Sequence, residues 1–347
     1  MPKYFGRKLN AVTVHRQELY DSYTPEYQCE RKNNYFIRCR NMHRHVDGEL
    51  EISRWVFNED PFEEACDFPN NTIISTDPEY YNYKKDVSKK GRYVWYVNFA
   101  DYNLFGFYDL DMFSQDEIQT LEHPLLAASL RMLTENHFAH MEPYTALSRN
   151  KVPSPYLVEN VPYWISVNTS VVRRGVVHNL YGHDFITAKE SIANAGVKNV
   201  SKEINDNIIA IAAPDNCHNQ EYSVQDIKYI MTTLLSSFSA AVQQGKAKGN
   251  STIVIHTGNW GCGAFGADPV LMYLTQFIAA AMIGVDELVF HAPMEEQFNK
   301  AKELFNEFKT NVVDAGKEEV RGKICSLKQI VDFLLNYKFK FGTSNGQ

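Results

Sequence analysis

Four short apolar runs set the terms for what this chain can fold into. Val94–Ala100 (VWYVNFA), Asn207–Ala213 (NIIAIAA), Ser251–His256 (STIVIH) and Glu287–His291 (ELVFH) are rich in β-branched and aromatic residues, the pattern of strands buried on both faces. Helical segments alternate with them. Ser114–Glu135 reads as helix split by Pro124, with Ile118 and Leu121 in the first piece and Leu125, Leu126, Leu130 and Leu133 in the second. Ser223 is placed to cap a long amphipathic helix that runs to Gln244, before Gly245. Pro269 opens an apolar helix, and Trp164–Val172 reads as one more strand. Alternation of this kind specifies an α/β sandwich around a largely buried sheet.

The flanks differ in texture. Residues 1–88 are rich in Tyr, Asn, Arg and Glu, with turn signals at Asp67-Phe68-Pro69-Asn70-Asn71 and Asp77-Pro78 and short strand-like pieces of undetermined order. We divide the chain into an N-terminal accessory region (1–88), an α/β core (89–293) and a C-terminal extension (294–347). The extension reads as helical and polar-faced, packed outside the core. With 347 residues, 44% hydrophobic and 22% charged, there is ample material for a large core.

A net charge of -7 argues against a nucleic-acid groove, which needs clustered cations. The basic clusters Arg38–Arg44 and Lys84–Arg92 have acids close by and read as solvated surface. Six cysteines (Cys29, Cys39, Cys66, Cys217, Cys262 and Cys325) include no CxxC pair, so neither a disulfide framework nor a zinc site is expected. A reducing, cytoplasmic setting is the simplest expectation. Delivery into another cell by a route that needs no signal peptide is compatible with the same features, because MPKYFGRKLN has no apolar targeting core. No membrane insertion is expected either: the run Val270–Val285 is short for a span and carries Thr275 and Gln276.

The sharpest local signal is Thr257-Gly258-Asn259-Trp260-Gly261-Cys262-Gly263-Ala264-Phe265-Gly266-Ala267-Asp268, lying between a buried strand and the helix opened by Pro269. Proline suits a helix's first position. Glycines let the backbone approach a ligand closely and aim successive N–H groups at an anion, next to the positive end of a helix. The residues themselves specify a phosphate-binding turn without saying which phosphate. No Gly-Lys-Ser/Thr follows, and no acidic residue ends a strand some twenty residues on, so neither a Walker loop nor a dinucleotide fingerprint is present.

TGNWGCGAFGAD, with the alanine-rich helix LMYLTQFIAAAMIG after it, resembles the signature of poly(ADP-ribose) glycohydrolases. A second segment, VNFADYNLFGFYDLDMFSQDEIQ (Val97–Gln119), resembles the family's other signature, in which a strand leads to a triple-glycine loop and then to Gln-Glu-Glu at a helix start. Pro124-Leu125-Leu126 resembles the proline that follows. The resemblance spans roughly residues 94–290 and implies a macrodomain-like mixed sheet sandwiched between helices, with N- and C-terminal additions.

It further implies Glu117 as the catalytic acid/base, with Asp116 assisting and Gln115 completing the triplet. Phe265 would brace the sugar to be cleaved, and the backbone of Gly261, Cys262, Gly263, Ala264, Phe265 and Gly266, with Asn259 beside it, would hold the diphosphate of ADP-ribose. The chain departs from the pattern in two places. The triple glycine reads Phe105-Gly106-Phe107, and the strand's acid and amide are exchanged, giving Asn98 and Asp101 at the sugar.

Cleaving a glycosidic bond at a ribose anomeric carbon needs a proton for the leaving group and an activated water. One buried carboxylic acid can serve both steps in turn. The resemblance therefore implies an ADP-ribosyl hydrolase that binds ADP-ribose and ADP-ribosylated protein, with no cofactor and no metal. The altered glycines favour mono-ADP-ribosylated protein as substrate. A poly(ADP-ribose) glycohydrolase and a non-catalytic ADP-ribose reader are the alternatives. Residue by residue, Asp116 and Glu117 are equally suited to a helix N-terminus capped by Ser114. His43 and His45, with Asp47 and Glu49, read as an exposed polar strand rather than a metal site. His178 and His183 read as structural or substrate-lining. Cys262 reads as a small loop residue, although a helix start would lower its thiol pKa.

Overall fold

A computed structural model of the protein describes residues 5–58, 66–81, 83, 91–149, 151–215, 220–314 and 324–343. Lys84–Lys90 and Cys217, considered above, lie outside the described residues. Eight strands form one mixed sheet: β1 (Gly6–His15), β2 (Glu49–Phe57), β3 (Ile73–Asp77), β4 (Arg92–Ala100), β5 (Tyr156–Pro162), β6 (Asn205–Ala212), β7 (Thr252–Thr257) and β8 (Glu287–His291). Their order is β1-β2-β5-β6-β4-β7-β8-β3. The half β6-β4-β7-β8-β3 is parallel throughout, and the half β1-β2-β5 is antiparallel. The fold is the expected mixed sheet sandwiched between helices, with residues 6–57 contributing two strands to that same sheet.

Both faces are covered, which is why the central strands are apolar at successive positions. Along β4, Trp95 and Val97 point into one core and Tyr96 and Ala100 into the other. The first core lies under α5 (Val224–Ala247), α6 (Pro269–Ile283), α7 (Glu295–Phe308) and α8 (Leu327–Leu335). The second lies under α1 (Arg16–Ser22), α2 (Glu30–Met42), α3 (Gln115–Glu122) and α4 (Pro124–Asn136). Burying each large apolar side chain contributes roughly 1.5–3 kcal/mol, so the two cores hold the sheet from opposite sides.

Three expectations are corrected. The long helix does not stop before Gly245 but runs to Ala247. Gly245 is there for close packing, since a Cβ would lie 2.3 Å from Ile253 Cδ1 on β7. Trp164–Val172 is not one strand. Asn168 turns the chain by accepting the Ser170 amide at 2.9 Å, leaving two short strands, Ile165–Val167 and Ser170–Arg173, in separate small sheets. Residues 43–47 are not a strand either: His43 ends α2 and stacks on Trp164 with ring centroids 4.8 Å apart.

The adjacent parallel strands β4 and β7 send their chains to opposite faces of the sheet. After β4 the chain enters α3, whose Ile118 and Leu121 pack in the second core. After β7 it enters α6, whose Leu271 and Leu274 pack in the first. Such a divergence opens a crevice beyond the carboxyl ends of the two strands, where open α/β sheets place their ligands.

Candidate active site in the crevice between two loops

The crevice is a cleft of about 270 Å³. Its walls come from the loop after β4 (Asp101, Phe107, Met112), the first turn of α3 (Gln115, Asp116, Glu117) and the glycine loop (Gly258–Phe265). His291, Ala292 and Met294 after β8 and Tyr80, Tyr81 and Tyr181 complete it. No lysine or arginine lines it among the described residues.

Glu117 is 2% exposed and lines the cleft. Its Oε2 accepts the Ser114 amide at 2.9 Å and also the Ser114 hydroxyl, closing a capping box at the start of α3. Its Oε1 makes no hydrogen bond within the protein among the described residues. The helix-cap reading and the cleft-facing reading therefore hold together, one for each oxygen. Asp116 is 5% exposed, and Asn98 Nδ2 donates to its Oδ1 at 3.0 Å. Burial first, and then the neighbouring Glu117 carboxylate, hold the Asp116 carboxyl well above the usual range, against the pull of the Asn98 bond. Two adjacent buried carboxyls cannot both ionise cheaply, which adds to the cost of charging Asp116.

Gln115 lines the cleft, but both its polar ends are engaged with β4: the Phe99 amide donates to Oε1 at 2.7 Å and Nε2 donates to the Val97 carbonyl at 3.1 Å. It pins the acidic turn to the strand. Asn98 stands behind Asp116, with its Oδ1 buried and unbonded. Asp101 lines the cleft and accepts the Asn103 amide at 2.9 Å.

The substituted glycines part company. Phe107 lines the cleft, whereas Phe105 is fully buried in the second core and holds a left-handed backbone, φ 54°. Gly106 between them lies against Asn103, where a Cβ would meet Asn103 Cβ at 2.8 Å. The structure thus brings one aromatic of this loop to the cleft and leaves the other out.

The glycine loop is fastened from beneath. Trp260, fully buried, donates its indole N–H to the Ile211 carbonyl at 3.1 Å. Thr257 donates to Gln276 at 2.6 Å, and the Ala267 amide donates to the Gly261 carbonyl at 2.9 Å. Gly261 needs to be glycine twice over: φ is 77°, and a Cβ would lie 2.7 Å from Ala213 Cβ. Asn259 is fixed by Tyr273 and by donating to the Ala292 carbonyl at 3.2 Å. The Gly266 carbonyl accepts the Gly342 amide at 2.8 Å, which ties the C-terminal segment to the loop. The amides of Gly263, Ala264 and Phe265 have no partner within the protein among the described residues. Asp268 caps α6 by accepting the Leu271 amide at 3.1 Å. The Cys262 thiol is not lowered by this helix start: burial and the nearby Asp268 push it up.

Several cleft residues carry no motif and escape sequence reasoning. His291 accepts on Nε2 from His256 Nδ1 at 2.8 Å, a direction set by its own Nδ1 donating to the Glu79 carbonyl at 2.8 Å. Tyr80 and Tyr181 face each other at 6.2 Å. The signal available for the histidines was position: His291 ends β8 and His256 is the last residue but one of β7, both buried parallel strands, where site residues gather. His178 lies on the small hairpin Ser170–Asn179, and His183 borders a neighbouring shallow groove with Asp111 and Ser114.

Residues 171–300 match the family described as Poly (ADP-ribose) glycohydrolase (PARG), Macro domain fold. That stretch includes the glycine loop and excludes the Val97–Gln119 segment. No curated protein matches the chain. Among solved structures, a poly(ADP-ribose) glycohydrolase from Thermomonospora curvata bound to the inhibitor ADP-HPD is similar at 17% identity, with a TM-score of 0.46, over 67% of this chain and 80% of that one. One from Deinococcus radiodurans in complex with ADP-ribose is similar at 14% identity, with a TM-score of 0.44, over 85% of this chain and 98% of that one. Over residues 171–300, then, the chain is similar to the macrodomain of poly(ADP-ribose) glycohydrolases, the family that its glycine loop resembles.

Proposed function

We propose that the protein is an ADP-ribosyl hydrolase that binds ADP-ribose and removes it from mono-ADP-ribosylated protein. The observation that carries this reading is the juxtaposition of a buried carboxyl pair, Asp116 and Glu117, with a loop whose amides at Gly263, Ala264 and Phe265 are unbonded, across one cleft. Those amides would take the diphosphate, since no lysine or arginine is among the described lining residues. The sugar to be cleaved would then lie toward Glu117, braced by Phe265, with the carboxylate of Asp101 as an acceptor for its hydroxyls; Asn98, buried behind Asp116, would orient the Asp116 carboxyl without touching the sugar.

In the reaction, the bond between the anomeric carbon and the protein-side atom breaks. Glu117 Oε1 delivers the pair's proton to that leaving atom and then takes a proton from the water that attacks the oxocarbenium-like carbon. One water is consumed, and ADP-ribose and the unmodified side chain are released. Asp116 assists by keeping one proton in the pair. Phe107, standing where the family pattern has glycine, narrows the cleft and favours a terminal ADP-ribose over one inside a chain.

The second reading is a reader that binds ADP-ribose without cutting it. It is favoured by the capping box, which gives Glu117 a structural task that needs no chemistry. Release of ADP-ribose is to be measured from a mono-ADP-ribosylated protein and from poly(ADP-ribose), with Glu117→Gln as control. Release from the first, abolished by the substitution, supports the hydrolase. Binding of ADP-ribose without release from either leaves the reader.

A further inference from the structure

Lys32 lies on α2, far from the cleft in sequence, and is fully buried. Lysine is almost never buried without a charge to face, because an ammonium taken out of water must be compensated. This one donates to the Tyr108 carbonyl at 3.0 Å and stands over the Phe113 ring, 5.7 Å from its centre. Among the described residues it has no ion pair within 4.0 Å. Phe113 is the residue before Ser114, whose amide and hydroxyl hold Glu117. The start of α2 is docked on the same loop, with the Cys29 amide donating to the Asp109 carbonyl at 2.8 Å. The ammonium is therefore built in behind the first turn of α3, outside the residues that line the cleft.

The titratable groups that face it are Glu117, the Cys29 thiol, Asp116 and Asp109; burial raises the Cys29 thiol, which leaves the carboxyls as the charges that matter. Asp101 acts on Asp116 from the other side, and Asp111 faces Cys29. Burial pulls the lysine below its ordinary range, and Glu117 is the largest influence in the opposite direction. The Tyr108 carbonyl satisfies one of three N–H donors and supplies no charge.

We propose that Lys32 is a positioning residue of the site: a buried cation, supplied by the N-terminal region, that keeps one negative charge on the Asp116–Glu117 pair while leaving their cleft side to the substrate. The proposal rests on the reading of that pair as the acid/base of a hydrolase. It gives the N-terminal region a part in the chemistry beyond extending the sheet. The action is through the field between buried groups, where screening by salt is weak.

The test has two arms. In the first, the Lys32 ammonium is followed by side-chain nitrogen NMR against pH in the wild-type chain, Glu117→Gln and Asp116→Asn. Its titration moves down by about one pH unit in Glu117→Gln and less in Asp116→Asn, since each loses an attractive charge. In the second, release of ADP-ribose is measured against pH for Lys32→Met and Lys32→Arg. Removing the cation strengthens proton binding by the pair, so the acid limb of the Lys32→Met profile moves up by about one pH unit and kcat falls about tenfold at neutral pH, with KM little changed. Lys32→Arg restores most of the rate.

A Lys32 titration indifferent to both carboxyl variants overturns the proposal. So does a Lys32→Met chain that unfolds at a lower temperature but keeps its pH profile. If Lys32→Met does not fold, the NMR arm and Lys32→Arg still decide. If the wild-type chain releases nothing from any substrate, the hydrolase reading fails, and the NMR arm still reports whether Lys32 answers to the pair.

Discussion

The glycine loop and the loop Asp101–Ser114 leave neighbouring parallel strands and wall the same cleft, but they are held by different means. Residues 257–268 are shaped by the backbone. Gly261 has no room for a side chain, and one buried indole, one threonine and a few carbonyls fix the rest. The Asp101–Ser114 loop is shaped by side chains: Phe105 is sunk in the core in a conformation that glycine adopts more easily, and Lys32 reaches in from another helix. A backbone-shaped loop tolerates almost no change at its tight points. A side-chain-shaped loop can exchange glycine for phenylalanine if the neighbourhood repacks, and it couples its site to distant residues.

On the proposed reading the first loop binds and the second carries the chemistry, and the largest expected effect tests that. Glu117→Gln should lower the release of ADP-ribose by about 10²–10⁴-fold, typical for loss of a general acid/base, while calorimetry finds ADP-ribose affinity within a few-fold of wild type. A large loss of affinity instead would merge the two roles. Next in size is Phe105→Gly. Losing a buried phenylalanine costs about 3–5 kcal/mol, and relief of the left-handed backbone gives back about 1–2, so denaturant unfolding should show a net loss of roughly 1–4. A variant as stable as wild type would mean that Phe105 is a strained substitute and not an anchor.

Gly261→Ala should cost about 2–3 kcal/mol from backbone strain and crowding against Ala213, with a fall in ADP-ribose affinity as the amides beyond it turn away. Thermal unfolding and calorimetry on the same preparation read both.

A further test reads the helix behind the carboxyl pair by pH. At the last residue of α3, burial raises the Glu122 carboxyl to about 8, where it accepts the Tyr83 hydroxyl at 3.2 Å and the Val167 amide at 3.0 Å. The folded state therefore binds this proton more tightly than the unfolded chain. Its contribution is fully present below about pH 4.3 and is lost as pH rises to about 8, at up to about 1.4 kcal/mol per pH unit. Glu122→Gln should flatten stability between pH 5 and 8 in urea titrations, and an unchanged slope would remove Glu122 from the account. Smallest is Phe107→Gly. It should leave stability within about 1 kcal/mol of wild type and shift the ratio of release from poly- and mono-modified substrates toward the chain.

The two loops were unequally legible in the sequence for the same reason that they differ in structure. Glycines between a buried strand and Pro269 announce a backbone that approaches a ligand, and the strands before and after, Ser251–His256 and Glu287–His291, sit within a residue of β7 and β8. The carboxyl pair was visible only through the resemblance, because Ser-x-x-Glu at a helix start is also an ordinary cap, which it is here as well. Lys32, His291, Tyr80 and Tyr181 were hidden, since their roles arise from long-range packing that no local spacing encodes. Phe105 misled in the opposite direction: its place in the triple-glycine pattern pointed to the cleft, but its ring is buried in the second core on a left-handed backbone. Helix ends fared worst where tertiary packing outweighed propensity, as at Gly245.

On the proposed reading, a diphosphate met by the amides of Gly263, Ala264 and Phe265, with no cation among the described lining residues, has a consequence for how the ligand arrives. Lysines and arginines draw anions from a distance and lose that pull as ions are added, whereas amide dipoles act only at contact. Association should therefore run at the ordinary rate of a docking encounter, about 10⁵–10⁷ M⁻¹s⁻¹, and stay nearly flat as ionic strength rises. A protein built this way gives up capture speed and keeps its grip in dilute and concentrated salt alike.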